Sequence, residues 1–197
     1  MKKIPTLFKR IIENHQVINI TDEITPGCEE AFVHGDSTVK FDGSCCAVIN
    51  GEFYKRYDAK QGKPVPENAI KCQEEADPVT GHLPCWLPCD RENKADKWFW
   101  EAYDNYKEIC CPIVIDGTYE AIGPHFQNNP YKLFSDTLEK HGTQYIKVER
   151  TFEAVKQYLT DNYIEGIVFW YEGEPVCKIK RTDFGLEWKG KYKYRKG

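Results

Sequence analysis

Short stretches of β-prone residues recur along this 197-residue chain, and turn-forming pairs separate them. The clearest case is the stretch 44–49, which ends at Asn50-Gly51 and is followed by a second β-prone stretch at 52–57. A two-residue hairpin turn requires positive φ at both positions, and Asn-Gly accepts this geometry well. The pattern therefore predicts a β-hairpin over residues 44–57.

Two further hairpins are predicted from the same kind of pattern. One has strands at 109–115 and 118–122 around Asp116-Gly117, and the other has strands at 166–171 and 174–180 around Glu172-Gly173. Because a two-residue turn joins antiparallel neighbours, these segments indicate antiparallel sheets. The chain is therefore expected to be built mainly from hairpins.

Helical periodicity is weaker and covers three segments. Apolar residues recur on one helical face over 151–162, and shorter apolar patterns at 7–12 and 133–138 predict two more helices. Residues 62–96 are rich in Pro and Cys and lack periodicity, which predicts a loop-rich insertion over the sheet. Together these elements predict an α+β fold: one domain over residues 1–197, with antiparallel hairpins and sheets and a few helices.

The composition supports a folded core, with 41% hydrophobic and 29% charged residues. No apolar run reaches 18 residues, so no membrane-spanning helix and no membrane partner are expected. The formal charge of −4 argues weakly against nucleic acid, but residues 178–197 hold eight basic and two acidic residues. That end carries a net +6, and its tail at 187–197 interleaves lysines and tyrosines, which fits either an RNA-contacting strand or a tail that only aids solubility.

Nine cysteines and no signal peptide predict free thiols in a reducing, cytoplasmic setting. Cys72, His82, Cys85 and Cys89 are the alternative, as ligands of a zinc knuckle. Their spacing fits none of the usual zinc patterns well, so buried or loop cysteines are the favoured interpretation.

Three charged features interrupt segments that should be buried. Lys40 precedes a Gly-bounded turn, and Glu120 stands in an apolar strand. A two-residue turn at Glu172-Gly173 places Glu165 opposite Lys180 and Ile167 opposite Lys178, so one face carries a carboxylate and two amines. A surface salt bridge explains one such amine, but a second ammonium beside it costs energy unless an anion binds there.

These residue types suit phosphoryl transfer to a lysine. A lysine at its ordinary pKa of about 10.4 is protonated at neutral pH and cannot attack phosphorus. Nearby cations and Mg²⁺ lower that pKa and neutralise charge developing on the phosphate. Carboxylates are then needed to hold the metal, since hard oxygen ligands suit Mg²⁺.

The same residues resemble a known enzyme superfamily, the covalent nucleotidyltransferases, which comprises ATP-dependent DNA and RNA ligases and mRNA capping enzymes. Longer stretches such as 77–82, 120–130 and 164–168 resemble the small 5′–3′ RNA ligases within it. The resemblance runs from about residue 4 to residue 186. Motifs I, III, IV and V are matched in order by Lys40-Phe41-Asp42-Gly43, Glu120, Glu165-Gly166-Ile167-Val168 and Lys178-Ile179-Lys180.

The resemblance implies an ATP-grasp-like ligase adenylation domain and a three-step reaction. Lys40 would take AMP from ATP, AMP would pass to an RNA 5′-phosphate, and an RNA 3′-hydroxyl would displace it, which suits RNA repair. ATP as substrate and Mg²⁺ or Mn²⁺ as metal are implied. The implied nucleotide-binding residues are Lys40, Asp42, Gly43, Arg56, Glu120, Glu165, Lys178 and Lys180, with Lys178 and Lys180 also catalytic and with Glu165 and Glu120 holding the metal.

Some choices stay open at this level. A capping-type guanylyltransferase, a DNA ligase core and a non-catalytic nucleotide- or RNA-binding module are the alternative functions. The aromatic residue that stacks on adenine is not assigned among Phe126, Tyr131 and Phe152. Only 17 residues follow Lys180, too few for the C-terminal OB-fold of many relatives.

Overall fold

The computed structural model describes residues 1–13, 16–60, 62–78, 80–110 and 112–188, so most of the predicted basic tail at 187–197 lies outside the described residues. The predicted α+β class, with mainly antiparallel sheets and few helices, is confirmed. The chain forms two compact units. Unit 1 comprises Met1–Lys3 and Asp42–His141, and unit 2 comprises Ile4–Phe41 and Gly142–Gly197, described as far as residue 188.

The regular elements of the described residues are, in chain order, β1 (Phe8–Glu13), β2 (Gln16–Ile24), α1 (Glu29–His34), β3 (Asp36–Lys40), β4 (Ser44–Ile49), β5 (Glu52–Ala59), β6 (Ile70–Lys71), β7 (Leu83–Pro88), α2 (Lys97–Ile109), β8 (Gly117–Ile122), β9 (Thr137–Lys140), α3 (Phe152–Asp161), β10 (Gly166–Tyr171) and β11 (Glu174–Lys180). A short 3-10 helix at Lys94–Asp96 directly precedes α2, and a second one at Arg181–Phe184 directly follows β11. In the described residues, none of the helices is long and apolar enough to cross a membrane.

Unit 2 contains a three-stranded sheet in the order β11-β10-β3 and the separate β1-β2 hairpin. In the core of unit 2, the buried face of the three-stranded sheet packs against helices α1 and α3 and against strands β1 and β2. The helix predicted at 151–162 is confirmed as α3, which buries Val155 and Leu159. Thr151 caps it by accepting a hydrogen bond from the Ala154 amide at 3.1 Å.

Unit 1 contains a six-stranded antiparallel sheet in the order β6-β7-β5-β4-β8-β9. On β4, Cys46 and Val48 belong to the core that aromatic residues of α2 cover, while Ala47 packs with Tyr54 and Trp86 in another cluster. This alternation is the two-residue period of a strand with both faces covered. The insertion predicted as loop-rich at 62–96 adds β6 and β7 to the sheet edge, so part of it is regular.

The hairpin predicted at Asn50-Gly51 is confirmed, with φ values of 52° and 78° at the two turn residues. The hairpin at Glu172-Gly173 is confirmed too, with φ values of 51° and 81°. Both turns are left-handed at both positions, which is the geometry that matches the twist of the flanking strands.

The register predicted for the third hairpin is wrong along most of its length. Ile167 pairs with Ile179 rather than with Lys178, and Gly166 rather than Glu165 pairs with Lys180. A β-bulge between Phe169 and Trp170 shifts the pairing by one residue. Only the two pairs next to the turn, Trp170 with Pro175 and Tyr171 with Glu174, keep the predicted register, because the bulge separates them from the other pairs of the hairpin.

The second predicted hairpin is wrong. Residues 97–109 form helix α2, and β8 pairs with β4 and β9 instead of with residues 109–115. Asp116 does not turn a hairpin. Its carboxylate accepts hydrogen bonds from the amides of Asn50 and Gly51 at 2.6 and 3.0 Å. It therefore stabilises the first hairpin turn from a distant part of the chain.

The two short predicted helices are also wrong. Residues 5–7 pair with the outer edge of β11, where the Leu7 amide donates to the Lys178 carbonyl at 2.7 Å, and β1 follows directly. Residues 129–136 are a loop, and Leu138 lies in β9, which pairs with β8. Both apolar patterns were too short to distinguish a helix from strand and loop.

Candidate active site

The predicted site residues divide between the two units. Lys40, Glu165, Lys178 and Lys180 belong to unit 2, and Asp42, Gly43, Arg56 and Glu120 belong to unit 1. The chain passes from unit 2 to unit 1 between Phe41 and Asp42, within the first motif.

In unit 2 the sheet order itself brings the motif residues together. Strand β10 lies between β3 and β11, and Lys40 and Lys180 both pair with Gly166 at its start. Glu165 directly precedes Gly166 and so stands between the two lysines. Three segments that are distant in sequence therefore meet at one end of a three-stranded sheet.

The carboxylate of Glu165 bridges the two lysines. Lys40 Nζ donates to Glu165 Oε2 at 2.6 Å, and Lys180 Nζ donates to Glu165 Oε1 at 2.8 Å. Glu165 is only 2% exposed, whereas the side chains of Lys40 and Lys180 are 20% and 28% exposed. The carboxylate thus lies below the two amines, which reach the surface.

Burial and charge act in opposite directions on Glu165. Burial raises the pKa of its carboxyl, but Lys40 and Lys180 together outweigh burial and hold that pKa below its ordinary value. The group is therefore ionised at neutral pH. It is a hard anionic ligand that Mg²⁺ accepts, but a weak base.

Lys178 is the third amine on this face of unit 2. Cys177 and Ile179 on the same strand point into the core, so Lys178 and Lys180 share the opposite face as predicted. Burial, followed by the positive charges of Lys40, Lys180 and Arg10, lowers the pKa of Lys178 to about 8, although the charge of Glu165 acts in the opposite direction. A protonated Lys178 beside the ammonium groups of Lys40 and Lys180 costs free energy, and a bound anion would reduce that cost.

Two local features hold the ends of these strands. A Cβ on Gly166 would lie 2.2 Å from the Ile179 carbonyl oxygen, so β10 and β11 approach closely only because this residue is glycine. At the end of β11, Asp183 accepts from the Lys180 amide at 2.9 Å and from Arg10 at 2.7 Å.

In unit 1, Glu120 is tied to the turn that follows Lys40 in the chain. Its Oε1 accepts from the Gly43 amide at 3.0 Å, and its Oε2 lies 3.0 Å from His141 Nε2. Tyr131 also holds this turn, since its hydroxyl accepts from the Asp42 amide at 2.6 Å. The glutamate that interrupts an apolar strand thus positions the backbone of the first motif.

Gly43 has a steric reason to be glycine. A Cβ at this position would lie 2.1 Å from the Ala121 carbonyl oxygen and within 3 Å of the Glu120 and Ile122 side chains. The turn therefore lies directly on β8, and packing requires glycine at the Gly43 position of the first motif.

Arg56 is held within unit 1. Its Nε donates to Asp58 at 2.7 Å and its Nη1 to the Met1 carbonyl at 2.8 Å, while the guanidinium lies over the Trp86 ring. These contacts keep the side chain extended over β7. Its predicted contact with nucleotide or RNA stays a prediction.

Among the described residues, two clusters have ligand atoms close enough to share a metal ion. Cys45, Glu120 and His141 form one, and Glu101, His125 and Asp136 form the other. Neither includes Cys72, His82, Cys85 or Cys89. Burial raises the pKa of the Cys89 thiol to about 12 in the metal-free protein.

The three candidates for stacking on adenine differ in their surroundings. Phe126 is buried in the unit 1 core against Phe99, and Phe152 packs edge-on against Phe8 and Phe184 in unit 2. Tyr131 is only partly buried, and its hydroxyl holds the Asp42 amide. Of the three, the first two serve as core residues.

Sequence reasoning missed the residues that position the motifs. His141 and Tyr131 hold Glu120 and Asp42, and Arg10 and Asp183 hold the end of β11. Tyr131 left a signal, because it directly follows the ligase-like stretch 120–130 and is a candidate for stacking on adenine, whereas His141 lies beyond that stretch. Arg10 and Asp183 carry no comparable sequence pattern.

Two curated relatives are similar to the chain over much of its length. A protein named RNA ligase 1 from Danio rerio is 26% identical over 267 aligned residues, covering 95% of this chain and 82% of the relative. A protein of the same name from Pongo abelii is 25% identical over 223 residues, covering 77% and 67%. The chain is RNA ligase-like. No protein-family model matches it. The resemblance predicted from the motifs is thereby confirmed.

Proposed function

We propose that this chain is an ATP-dependent RNA ligase that joins an RNA 5′-phosphate to a 3′-hydroxyl through a lysyl-AMP intermediate on Lys40. The observation that carries the proposal is the Glu165 carboxylate bridging Lys40 and Lys180, with Lys178 on the same strand face. The similarity to proteins named RNA ligase 1 supports RNA as the substrate class. RNA repair in the cytoplasm is part of the same proposal.

In the first step, Lys40 Nζ forms a bond to the α-phosphorus of ATP while the bond to the β-phosphate oxygen breaks and pyrophosphate leaves. The Lys40 ammonium must first lose a proton to solvent water, which its partly exposed side chain reaches, and the loss of its charge removes one of the two cations on Glu165. Lys178 and Lys180 are proposed to neutralise the negative charge that develops on the α-phosphate.

The donor set of unit 2 fits a divalent metal. Glu165 offers a buried, ionised carboxylate, the ligand type that Mg²⁺ or Mn²⁺ prefers, and one of its oxygens loses the Lys40 ammonium once AMP is attached. When bound, the metal supplies charge neutralisation on the phosphates. Glu120 is proposed as a second metal or ribose contact.

The remaining roles follow the motif positions. Asp42 and Gly43 are proposed to shape the turn after Lys40, which their contacts with Tyr131 and Glu120 support. Arg56 is proposed to contact nucleotide or the RNA 5′-phosphate. In the later steps AMP moves to the RNA 5′-phosphate, and attack by the 3′-hydroxyl then releases AMP.

Mass spectrometry of the intact protein after incubation with ATP and Mg²⁺ tests the proposal. We expect a gain of one AMP that acid removes and that Lys40→Ala abolishes. Lys156→Ala is the matched control, because Lys156 is an exposed lysine of α3 in the same unit. A protein that stays unmodified over a range of metals and pH values contradicts the proposal.

Substrate comparisons separate the alternative functions. Labelling from GTP alone indicates a capping-type guanylyltransferase, and sealing of nicked DNA without sealing of RNA indicates a DNA ligase core. A non-catalytic module is indicated if the chain without substitutions forms no AMP adduct and the Lys40→Ala variant still binds ATP.

A further inference from the structure

Phe134 lies entirely in solvent, with a relative exposure of 105%. It stands in unit 1, in the loop between β8 and β9. Large apolar side chains gain free energy when they leave water, so a wholly exposed phenylalanine forgoes that gain in the free protein. A partner that covers the ring would recover it.

The loop that carries Phe134 is held by side-chain bonds rather than by packing of the ring. Asn129 Oδ1 accepts from the Leu133 amide at 2.9 Å, and Asn129 Nδ2 donates to the Leu133 carbonyl at 2.8 Å. The Lys132 amide also donates to the Asn129 carbonyl at 3.1 Å. These bonds fix the backbone directly before Phe134.

The backbone of the loop is left-handed at four residues that are not glycine. Gln127, Asn128, Asn129 and Lys132 have φ values of 47°, 58°, 50° and 55°. Each such residue costs free energy, and the cost is tolerated where the surroundings fix the conformation. The loop is therefore shaped to one conformation, in which Phe134 points outward.

The chemistry around Phe134 suits a nucleotide. Residues 126–135 hold one cation, Lys132, together with the side-chain amides of Gln127 and Asn128, and no carboxylate. Lys132 is exposed. An aromatic face, a cation and amide groups are what unpaired bases and their phosphates bind. The same loop holds the Asp42 amide through Tyr131, two residues after Lys40 in the chain.

We infer that Phe134 is a stacking platform for an unpaired base of the RNA substrate, with Lys132 beside it on the phosphate backbone. This inference rests on the proposed function. It adds that unit 1 contacts single-stranded RNA through the loop 126–135. Base stacking on an aromatic ring tolerates any base, so the contact gives affinity without strict sequence preference.

The affinity of the full chain for a short, 5′-phosphorylated, single-stranded RNA tests the inference, measured by fluorescence anisotropy. We expect Phe134→Ala to weaken binding roughly 10-fold, and Phe134→Trp to retain it. Phe134→Leu, which keeps an apolar side chain without a ring, should resemble alanine. Ile113→Ala is the matched control, because Ile113 is an exposed apolar residue of the same unit.

An RNA that lacks bases supplies the second arm. We expect Phe134→Ala and the unmodified chain to bind the abasic RNA with equal affinity. Lys132→Ala should bind both the base-bearing and the abasic RNA more weakly. Equal affinity of Phe134→Ala and the unmodified chain for the base-bearing RNA overturns the inference. So does a dimer that Phe134→Ala dissociates, because Phe134 is then covered by a second copy.

Formation of lysyl-AMP without RNA separates this inference from the proposed function. Phe134→Ala should form the adduct at the unmodified rate. If the adduct forms and RNA affinity does not depend on Phe134, the stacking role fails and the ligase proposal stands. If no adduct forms but the affinity depends on Phe134, the ligase proposal fails and the stacking role stands.

Discussion

Lys40 donates a hydrogen bond to Glu165 at 2.6 Å, although 125 residues separate the two in sequence. The bond joins the end of β3 to the start of β10, and Lys180 binds the other oxygen of the same carboxylate. One buried anion therefore holds two amines together on the strand face that also carries Lys178.

Glu165→Gln should slow lysyl-AMP formation by at least about 100-fold, a loss comparable to removal of one electrostatic group from an active site. The neutral amide no longer compensates the charges of Lys40, Lys178 and Lys180, so we also expect a loss of about 1–3 kcal/mol in unfolding free energy. Adduct formation followed by mass spectrometry and urea denaturation measure the two effects. Glu174→Gln, at an exposed glutamate of β11, is the control. Unchanged kinetics would contradict the role of Glu165.

Lys178→Met should stabilise the protein near pH 7, by on the order of 2 kcal/mol after allowance for solvent screening. Burial and the neighbouring positive charges lower the pKa of Lys178 from 10.5 to about 8, so below pH 8 the folded state bears the full cost of the charge. As the pH rises from 8 to 10.5, the folded state loses its proton while the unfolded state keeps it, and the cost disappears. The stabilising effect should therefore shrink over that interval.

Urea denaturation of Lys178→Met and of the unmodified chain at several pH values measures this dependence. Lys156→Met, at an exposed lysine of α3, provides a control that should show no such trend. A stability difference that is constant from pH 7 to pH 10.5 rules out the lowered pKa. We also expect Lys178→Met to slow lysyl-AMP formation despite its higher stability.

Gly43→Ala should destabilise unit 1 by about 1–3 kcal/mol, because the added Cβ meets the Ala121 carbonyl oxygen at 2.1 Å and backbone has to move. The movement should also weaken the bond from the Gly43 amide to Glu120 and slow adduct formation. Thermal unfolding and the adduct assay measure both effects. The neighbouring Ser44→Ala should change neither, and a Gly43→Ala protein with unmodified stability would disprove the steric argument.

Tyr131→Phe should reduce unfolding free energy by about 1 kcal/mol, since the Asp42 amide loses the hydroxyl that accepts its hydrogen bond. Because Asp42 follows Lys40 by two residues, we expect a lower rate of lysyl-AMP formation with little change in the ATP concentration that saturates it. Tyr145→Phe, at an exposed tyrosine, is the control. A change confined to ATP affinity would indicate that Tyr131 contacts the nucleotide instead.

Local turn chemistry made two of the three hairpins predictable. Asn50-Gly51 and Glu172-Gly173 adopt the left-handed geometry that a two-residue turn requires, and glycine at the second position makes this accessible. The same pattern failed at Asp116-Gly117, where the carboxylate of Asp116 binds the turn at Asn50 and Gly51. Nothing near Asp116 in the sequence signals that distant partner.

The sequence by itself determined the antiparallel class, helix α3 and the alternation that sets Lys178 and Lys180 opposite Cys177 and Ile179. These depend on neighbouring residues, through turn geometry and side-chain period. Only the tertiary structure decided the register of β10 with β11, because a bulge costs little locally and is selected by packing of the whole sheet. It alone also decided that Glu165 lies between Lys40 and Lys180, since the order β11-β10-β3 results from strand pairing over more than 100 residues of intervening chain.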